Sequence, residues 1–303
     1  MTEAFFEKLN NFYYRIFSPH EVVVSEKSDY QEIDIVRTAD GNKALILDGT
    51  IQFYTADEFI YHEMVVHLPF VHHPKPERIL VLGGGDGFLA REALKYRSAK
   101  EITIVDLDER VVELCKKHFA EETSQSFQDP RVKIISDDAM KFAEYCKDKY
   151  DVIIMDLVDP YGPGAELYSE GTIKKFAGLL KEDGILATHC EDSSYPYFVG
   201  LKIYSRLSKM FPFHKPGLAY VKSFDGLWTF AVLSNKELKA CNPETGSLEL
   251  KFFEPEKLEC YTKLPPHLKK KLEQFREKGF EKLAEGMVLM RKISPSDRVK
   301  DLL

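Results

Sequence analysis

With 303 residues, 44% of them hydrophobic and 30% charged, the chain is too apolar to stay disordered and long enough to bury a core without disulfide or metal staples. A net charge of -7 argues against a nucleic-acid binder, which needs a basic face, and suits encounter with cationic ligands. The five cysteines form no C-x-x-C pair, no stretch reaches the ~20 apolar residues of a membrane span, and the first residues lack the basic region of a secretory leader, so the expected compartment is the cytoplasm.

Residues 30–54 alternate apolar and polar side chains around the turn signals Ala39-Asp40-Gly41-Asn42 and Asp48-Gly49. This rhythm predicts a small antiparallel β unit, within an N-terminal β-strand domain over residues 1–70. From Arg78 onward the period changes. Short Val/Ile/Leu runs at 79–82, 102–105, 132–135, 152–155 and 185–188 alternate with helical patterns such as 110–119 and 171–180. Strands apolar on both faces and separated by helices predict an α/β domain over residues 71–235, with a Rossmann-like, doubly wound, mostly parallel sheet. Runs at 217–222 and 227–233 fit a closing antiparallel pair, and the Lys/Glu-rich residues 236–303 read as a peripheral, largely helical segment with a helix over 268–285.

Three features at strand ends point to a nucleoside. Val81-Leu82-Gly83-Gly84-Gly85-Asp86-Gly87 joins a strand to a helix, where glycines let backbone approach a ligand. Asp106 ends the second strand 23 residues after Gly83, close to the spacing at which a carboxylate accepts from ribose hydroxyls. The third strand ends in Ser136-Asp137-Asp138-Ala139, where a carboxylate would meet the adenine amino group. The same three features describe methyltransferases and dinucleotide enzymes, so they give a nucleoside and leave the reaction open.

The run Met155-Asp156-Leu157-Val158-Asp159-Pro160-Tyr161-Gly162-Pro163 follows the fourth strand, with prolines to stiffen it. A cationic amine has to be held by anions yet lose a proton before it attacks carbon, which is work for two carboxylates. Alone, the run has a second, less favoured reading as an acidic turn that caps a helix.

It occurs together with Leu47-Asp48-Gly49-Thr50-Ile51-Gln52, Asp57-Glu58-Phe59-Ile60-Tyr61-His62-Glu63-Met64, the glycine-rich turn and Asp129-Pro130-Arg131. In this order the motifs resemble the spermidine synthase family of polyamine aminopropyltransferases, collinearly over about residues 30–230. The runs Leu250-Lys251-Phe252-Phe253 and Lys263-Leu264-Pro265-Pro266 resemble its C-terminal segment, whereas the extension beyond Glu273 does not. The resemblance implies that Asp156 is the general base and that Tyr61, His62, Asp86, Asp159 and Glu191 bind the polyamine. It implies that Gln31, Gln52, Gly83, Gly85, Asp106, Asp138, Ala139 and Pro163 hold the donor, decarboxylated S-adenosylmethionine, and its product methylthioadenosine. It further implies no cofactor beyond that co-substrate, no metal, no nucleic acid or membrane partner, and a homodimer or homotetramer. A loop over residues 156–167 would close on the ligands, with Gly162 and Gly164 giving it freedom.

The departure on the acceptor side is Ser223, which stands where many spermidine synthases have tyrosine and is closer to thermospermine synthases. Asp106, where many have Glu, and the run Asp156-Leu157-Val158-Asp159-Pro160 point the same way, whereas Asp86 does not. Putrescine is the expected acceptor, with spermidine or agmatine as alternatives. An S-adenosylmethionine-dependent methyltransferase is disfavoured, because Asp86 would repel a donor carboxylate, and a silent binding protein is disfavoured by the intact Asp156 and Tyr61. His67, His72, His73 and His118 read as surface or capping residues, and Cys190 as structural.

Overall fold

The computed structural model describes residues 4–8, 14–159, 162–195 and 197–278. By internal contacts these divide into a smaller unit, within Met1–Phe59 and Val221–Asp225, and a larger one, within Ile60–Tyr220 and Gly226–Leu283.

In the smaller unit, β1 (Phe5–Lys8) pairs antiparallel with β2 (Tyr14–Phe17). A four-stranded antiparallel meander follows: β3 (Glu21–Lys27), β4 (Glu32–Arg37), β5 (Lys43–Leu47) and β6 (Thr50–Tyr54). The β5–β6 turn is Asp48-Gly49, with φ of 48° and 81°, the left-handed pair that a two-residue hairpin demands and that Asp-Gly supplies. Asp48 Oδ1 also accepts from Glu32 N at 2.9 Å, which fixes the turn on the neighbouring strand. The apolar face buries Phe5, Val36, Ala44, Ile46 and Ile51 under Phe224. Phe224 belongs to the excursion 221–225, where Ser223 N donates to Asp57 Oδ2 at 2.7 Å and Arg15 donates to the Ser223 carbonyl.

Helix α1 (Glu58–Phe70) leads into the larger unit, and the division by contacts falls in its first turn instead of near residue 70. There β7 (Arg78–Gly83), α2 (Phe88–Leu94), β8 (Glu101–Asp106), α3 (Glu109–His118), β9 (Val132–Ser136), α4 (Ala139–Tyr145), β10 (Tyr150–Asp156), α5 (Glu170–Ala177) and β11 (Leu180–Asp192) alternate as the sequence predicts. After α6 (Val199–Leu207), β12 (Phe213–Val221) and β13 (Gly226–Ser234) complete a seven-stranded sheet in the order β12-β13-β11-β10-β7-β8-β9. Strands β7 to β11 are parallel and β13 runs antiparallel to β11. The run 79–82 and its neighbour 152–155 are wholly buried, which is why they lack the alternation of a half-exposed strand. Each such side chain contributes roughly 1.5–3 kcal/mol by leaving water.

Helix starts follow their caps. The Asp108 side chain accepts from Arg110 N, that of Asp138 from Met140 N and Lys141 N, and that of Ser169 from Thr172 N. The helix expected over 171–180 stops at Ala177: Tyr150 N donates to Leu179 O at 2.9 Å, and Leu180 pairs with Tyr150 and begins β11.

The C-terminal segment contributes α7 (Leu258–Thr262) and α8 (Pro266–Lys278); the rest of the helix expected over 268–285 lies outside the described residues. Residues 236–278 pack with the larger unit. Leu268 and Phe275 of α8 bury against Leu201 of α6.

Candidate active site

The chain leaves β7 for β8 and β9 on one side and returns with β10 on the other, so the sheet switches direction between β7 and β10. A crevice at the carboxyl ends of such strands is where open α/β sheets bind ligands. Gly83 ends β7 opposite Asp156, which ends β10. Its φ is +83°, and a Cβ there would stand 1.9 Å from the Asp156 carbonyl oxygen, so only glycine lets the turn pass the end of β10. At Gly85 a Cβ would stand 2.6 Å from Asp106 Oδ2.

On the nucleoside side, Asp106 accepts from Gly85 N and Asp108 N, each at 2.9 Å. Burial, helped by Asp86 and Asp108, pushes its carboxyl up to about 6 against those two donors. Asp138 Oδ1 receives Met140 N and Lys141 N at 2.9 Å, so this expected adenine contact is also the cap of α4, and Ala139 is the first residue of that helix. The neighbouring Asp137 takes the Tyr145 hydroxyl at 2.8 Å. Gly162 and Pro163 open a 3-10 segment, Gly162–Tyr168; the side chain of Pro163, and all of Pro160 and Tyr161, lie outside the described residues. Gln31 and Gln52 belong to the smaller unit: Gln31 precedes β4 and Gln52 is exposed on β6, its Nε2 donating to Thr50 O at 3.2 Å.

On the amine side, Tyr61 of α1 is buried, and its hydroxyl donates to Asp156 Oδ1 at 2.5 Å. Burial and the neighbouring Asp156 raise the Tyr61 phenol well above its ordinary value, so it stays a neutral donor. Burial, then Asp86, raises the Asp156 carboxyl, against His189, Tyr61 and His62. His62 stacks on Phe88 at 4.9 Å, and its Nε2 lies 3.8 Å from Asp86 Oδ2. Asp86 Oδ1 in turn accepts from Phe88 N at 2.9 Å. Glu191, at the end of β11, is 4% exposed and has a φ of 79°, a left-handed conformation that costs a non-glycine residue on the order of 1 kcal/mol. Its carboxyl rises well above the usual range through burial, and through Asp159, with which it is hydrogen-bonded. Tyr61, His62, Asp86, Asp156, Asp159 and Glu191 thus gather at one end of the sheet: Glu191 is buried, Asp86, Asp156 and Asp159 are half-buried, and Tyr61 donates to the carboxyl that ends β10.

Two residues beside this group escape the sequence reading. His189 of β11 and Tyr168 of the 3-10 segment are both buried, and His189 Nε2 lies 3.0 Å from Leu157 O and 3.3 Å from the Tyr168 hydroxyl. The run Thr188-His189-Cys190-Glu191 holds the sequence signal for His189, and it directs attention to Cys190, whose thiol burial pushes up far from reactivity.

Of the other histidines, His67 Nε2 meets Glu92 Oε2 at 2.8 Å and its Nδ1 meets the Tyr96 hydroxyl at 2.9 Å inside the core. His73, Asp151 and Asp183 bring ligand atoms within 4.8 Å of one another. Asp151 already binds Lys181 Nζ at 2.8 Å and accepts Glu77 N and Arg78 N, and His73 Nδ1 accepts Lys75 N. His73 Nε2 lies 3.7 Å from Asp151 Oδ1, beyond hydrogen-bond distance, and Asp151 is already engaged by Lys181 and the two backbone donors. Open hollows of about 300 Å³ beside Lys116 and Phe127 and of about 230 Å³ beside Lys133 and Tyr145 include none of the six residues of the amine side.

The family model for the spermine/spermidine synthase domain matches residues 58–243, and that for the spermidine synthase tetramerisation domain matches residues 11–54. A polyamine aminopropyltransferase of Clostridium tetani is 35% identical over 238 residues, which cover 78% of this chain and 85% of the relative. Among solved structures, spermidine synthase from Thermotoga maritima superposes with a TM-score of 0.81 at 32% identity, over 89% of this chain and 94% of its own. A spermidine synthase in complex with the transition-state analogue AdoDATO gives 0.82, with the same identity and coverage.

Proposed function

This chain belongs to the spermine/spermidine synthase family of polyamine aminopropyltransferases, and on that premise we propose that it moves the aminopropyl group of decarboxylated S-adenosylmethionine onto putrescine, giving spermidine and methylthioadenosine. The observation that carries this reading is the Asp156 carboxyl, hydrogen-bonded to Tyr61 and beside the acid Asp86. A cationic amine fits there and a carboxylate-bearing donor does not. AdoDATO bound to a solved relative supports the decarboxylated donor.

In this reading Asp156 accepts a proton from the acceptor's ammonium. The freed nitrogen lone pair attacks the methylene carbon bonded to the sulfonium, and the carbon–sulfur bond breaks with its electron pair going to sulfur. A neutral thioether leaves and the new amine carries the positive charge. The sulfonium needs no further activation, so alignment supplies much of the rate. Asp86, Asp159, Tyr61, His62 and Glu191 hold the acceptor; Asp106, Asp138, Ala139, Gly83, Gly85 and Pro163 hold the donor, with Gln31 and Gln52 as further donor contacts by resemblance. The match of residues 11–54 supports a homo-oligomer, tetramer or dimer, which sedimentation would establish. No described helix is long and apolar enough to cross a membrane, in keeping with the cytoplasmic placement proposed for this enzyme.

Transfer to a longer polyamine or to agmatine is the second reading, favoured by Ser223 in place of the expected tyrosine. An acceptor panel of putrescine, agmatine, cadaverine, spermidine and spermine with decarboxylated S-adenosylmethionine tests both, with intact S-adenosylmethionine as the donor control. Highest kcat/KM with putrescine supports the first reading, and a preference for another amine replaces it with the second. No aminopropyl transfer to any amine would sink both.

A further inference from the structure

His189 enters none of the roles above, yet its ring connects the residue after the base to the segment that follows it. Its Nε2 is 3.0 Å from the Leu157 carbonyl oxygen, which can only accept, so this nitrogen carries a hydrogen and donates. The same nitrogen is 3.3 Å from the Tyr168 hydroxyl, at the end of the 3-10 segment Gly162–Tyr168. Nδ1, on the other edge of the ring, faces Glu191 Oε1 at 3.6 Å. With Nε2 protonated, two bare acceptors would face each other across that gap unless one proton sits between them, either on the imidazolium or on the Glu191 carboxyl. His189 and Glu191 are both within 5% of full burial, so water does not relieve the contact.

We propose that His189 is a positioning residue for aminopropyl transfer: Nε2–H fixes the Leu157 carbonyl and the Tyr168 hydroxyl, while Nδ1 and Glu191 hold one proton between them beside the base. The proposal rests on Asp156 being that base. Groups facing the ring come from each element around it: Glu191 from β11, Asp156 from β10, Asp159 after it, Tyr168 from the 3-10 segment and Tyr61 from α1, whose ring centroid lies 6.0 Å away. Burial alone would lower the His189 imidazole; Glu191, then Asp156 and Asp159, outweigh it and raise the group to about 9. With the shared proton on the ring, its charge is one of the groups that hold the Asp156 carboxyl down against burial and Asp86. Loss of that charge therefore moves the base upward, and activity requires a higher pH.

The test is the pH profile of kcat/KM for full-length His189→Gln and His189→Ala, with decarboxylated S-adenosylmethionine and the preferred amine of the panel. Glutamine keeps an N–H for Leu157 O but no charge, so its plateau kcat falls only about threefold, whereas alanine loses about tenfold or more. In both, the acid limb moves up by roughly one pH unit, the scale of one charge in a buried cluster. Methylthioadenosine affinity stays within about twofold in both, since no nucleoside contact is removed. An acid limb that stays put in both variants, or in glutamine alone should alanine not fold, overturns the proposal. So does a glutamine variant as slow as alanine. Asp156→Asn is measured alongside: if it turns over, the base assignment fails and takes the proposal with it, whereas an inactive Asp156→Asn with an unmoved limb overturns only the role of His189.

Discussion

At the scale of single residues, Asp156 and Asp106 are both carboxyls raised by burial, and in their proposed roles both have to be ionised to act. Asp156 has to be ionised to take a proton, so turnover falls as pH drops through a value above that of an ordinary aspartate. Asp156→Asn keeps shape and hydrogen bonding but cannot accept the proton. It is expected to lower kcat by about a thousandfold or more while methylthioadenosine, measured by calorimetry, binds nearly as before. Asp106, raised to about 6, has to be ionised to accept from ribose hydroxyls. Methylthioadenosine affinity should therefore weaken below that pH, by up to about tenfold at pH 5, and Asp106→Asn should bind weakly with no such dependence. A flat wild-type titration would remove Asp106 from the ribose site. For folding the sign is reversed: the native state holds this proton more tightly than the unfolded chain, so the Asp106 contribution to stability falls as pH rises from about 4 to about 6. Both acids were legible in the sequence because each ends a strand of the sheet. His189 was not, since its importance comes from a carbonyl and a hydroxyl that are distant in the chain and reach it only once β10 and β11 pair.

At the scale of elements, the glycine-rich turn and the end of β10 act as one piece. Gly83→Ala would place a methyl 1.9 Å from the Asp156 carbonyl oxygen at a φ of +83°, so strand β10 or the turn has to move. A loss of about 3 kcal/mol or more in urea unfolding is expected, together with loss of turnover in whatever folds. Near-wild-type stability would show that the turn yields more easily than its geometry suggests. The turn, the five parallel strands and the Asp48-Gly49 hairpin could be read from periodicity because local chemistry and burial agree there. Strands β1 to β3 could not: their apolar residues are short runs without turn signals of the Asp-Gly kind. The early end of α5 was not legible either, since Leu179 and Leu180 meet β10 by pairing that no local pattern announces.

At the scale of the whole molecule, the segment after residue 235 is tied to α1 by buried side chains: Asn242 Nδ2 donates to Phe70 O at 3.0 Å, and Glu63 of α1 reaches the segment's backbone. Glu63, next to His62 and two residues from Tyr61, is 1% exposed, and its carboxylate accepts the backbone N–H of Lys251, Phe252 and Phe253, each at 2.8 Å. The motif containing Glu63 was visible in the sequence, as was the Leu250-Lys251-Phe252-Phe253 run, but nothing local connects two segments so far apart in the chain. Charge-assisted bonds to buried amides are worth roughly 1.5–3 kcal/mol each, and removing their acceptor strands three donors away from water. Glu63→Gln, which keeps the volume and loses the charge and one acceptor, should therefore cost about 2–4 kcal/mol in urea unfolding and speed proteolysis within residues 236–278. Because α1 carries Tyr61 onto Asp156, the same variant should lower kcat for the transfer while methylthioadenosine affinity, proposed to be set at the ends of β8 and β9, changes little. If stability fell with kcat intact, the segment would brace the fold alone; a fall in both would make the C-terminal segment part of what aligns the base.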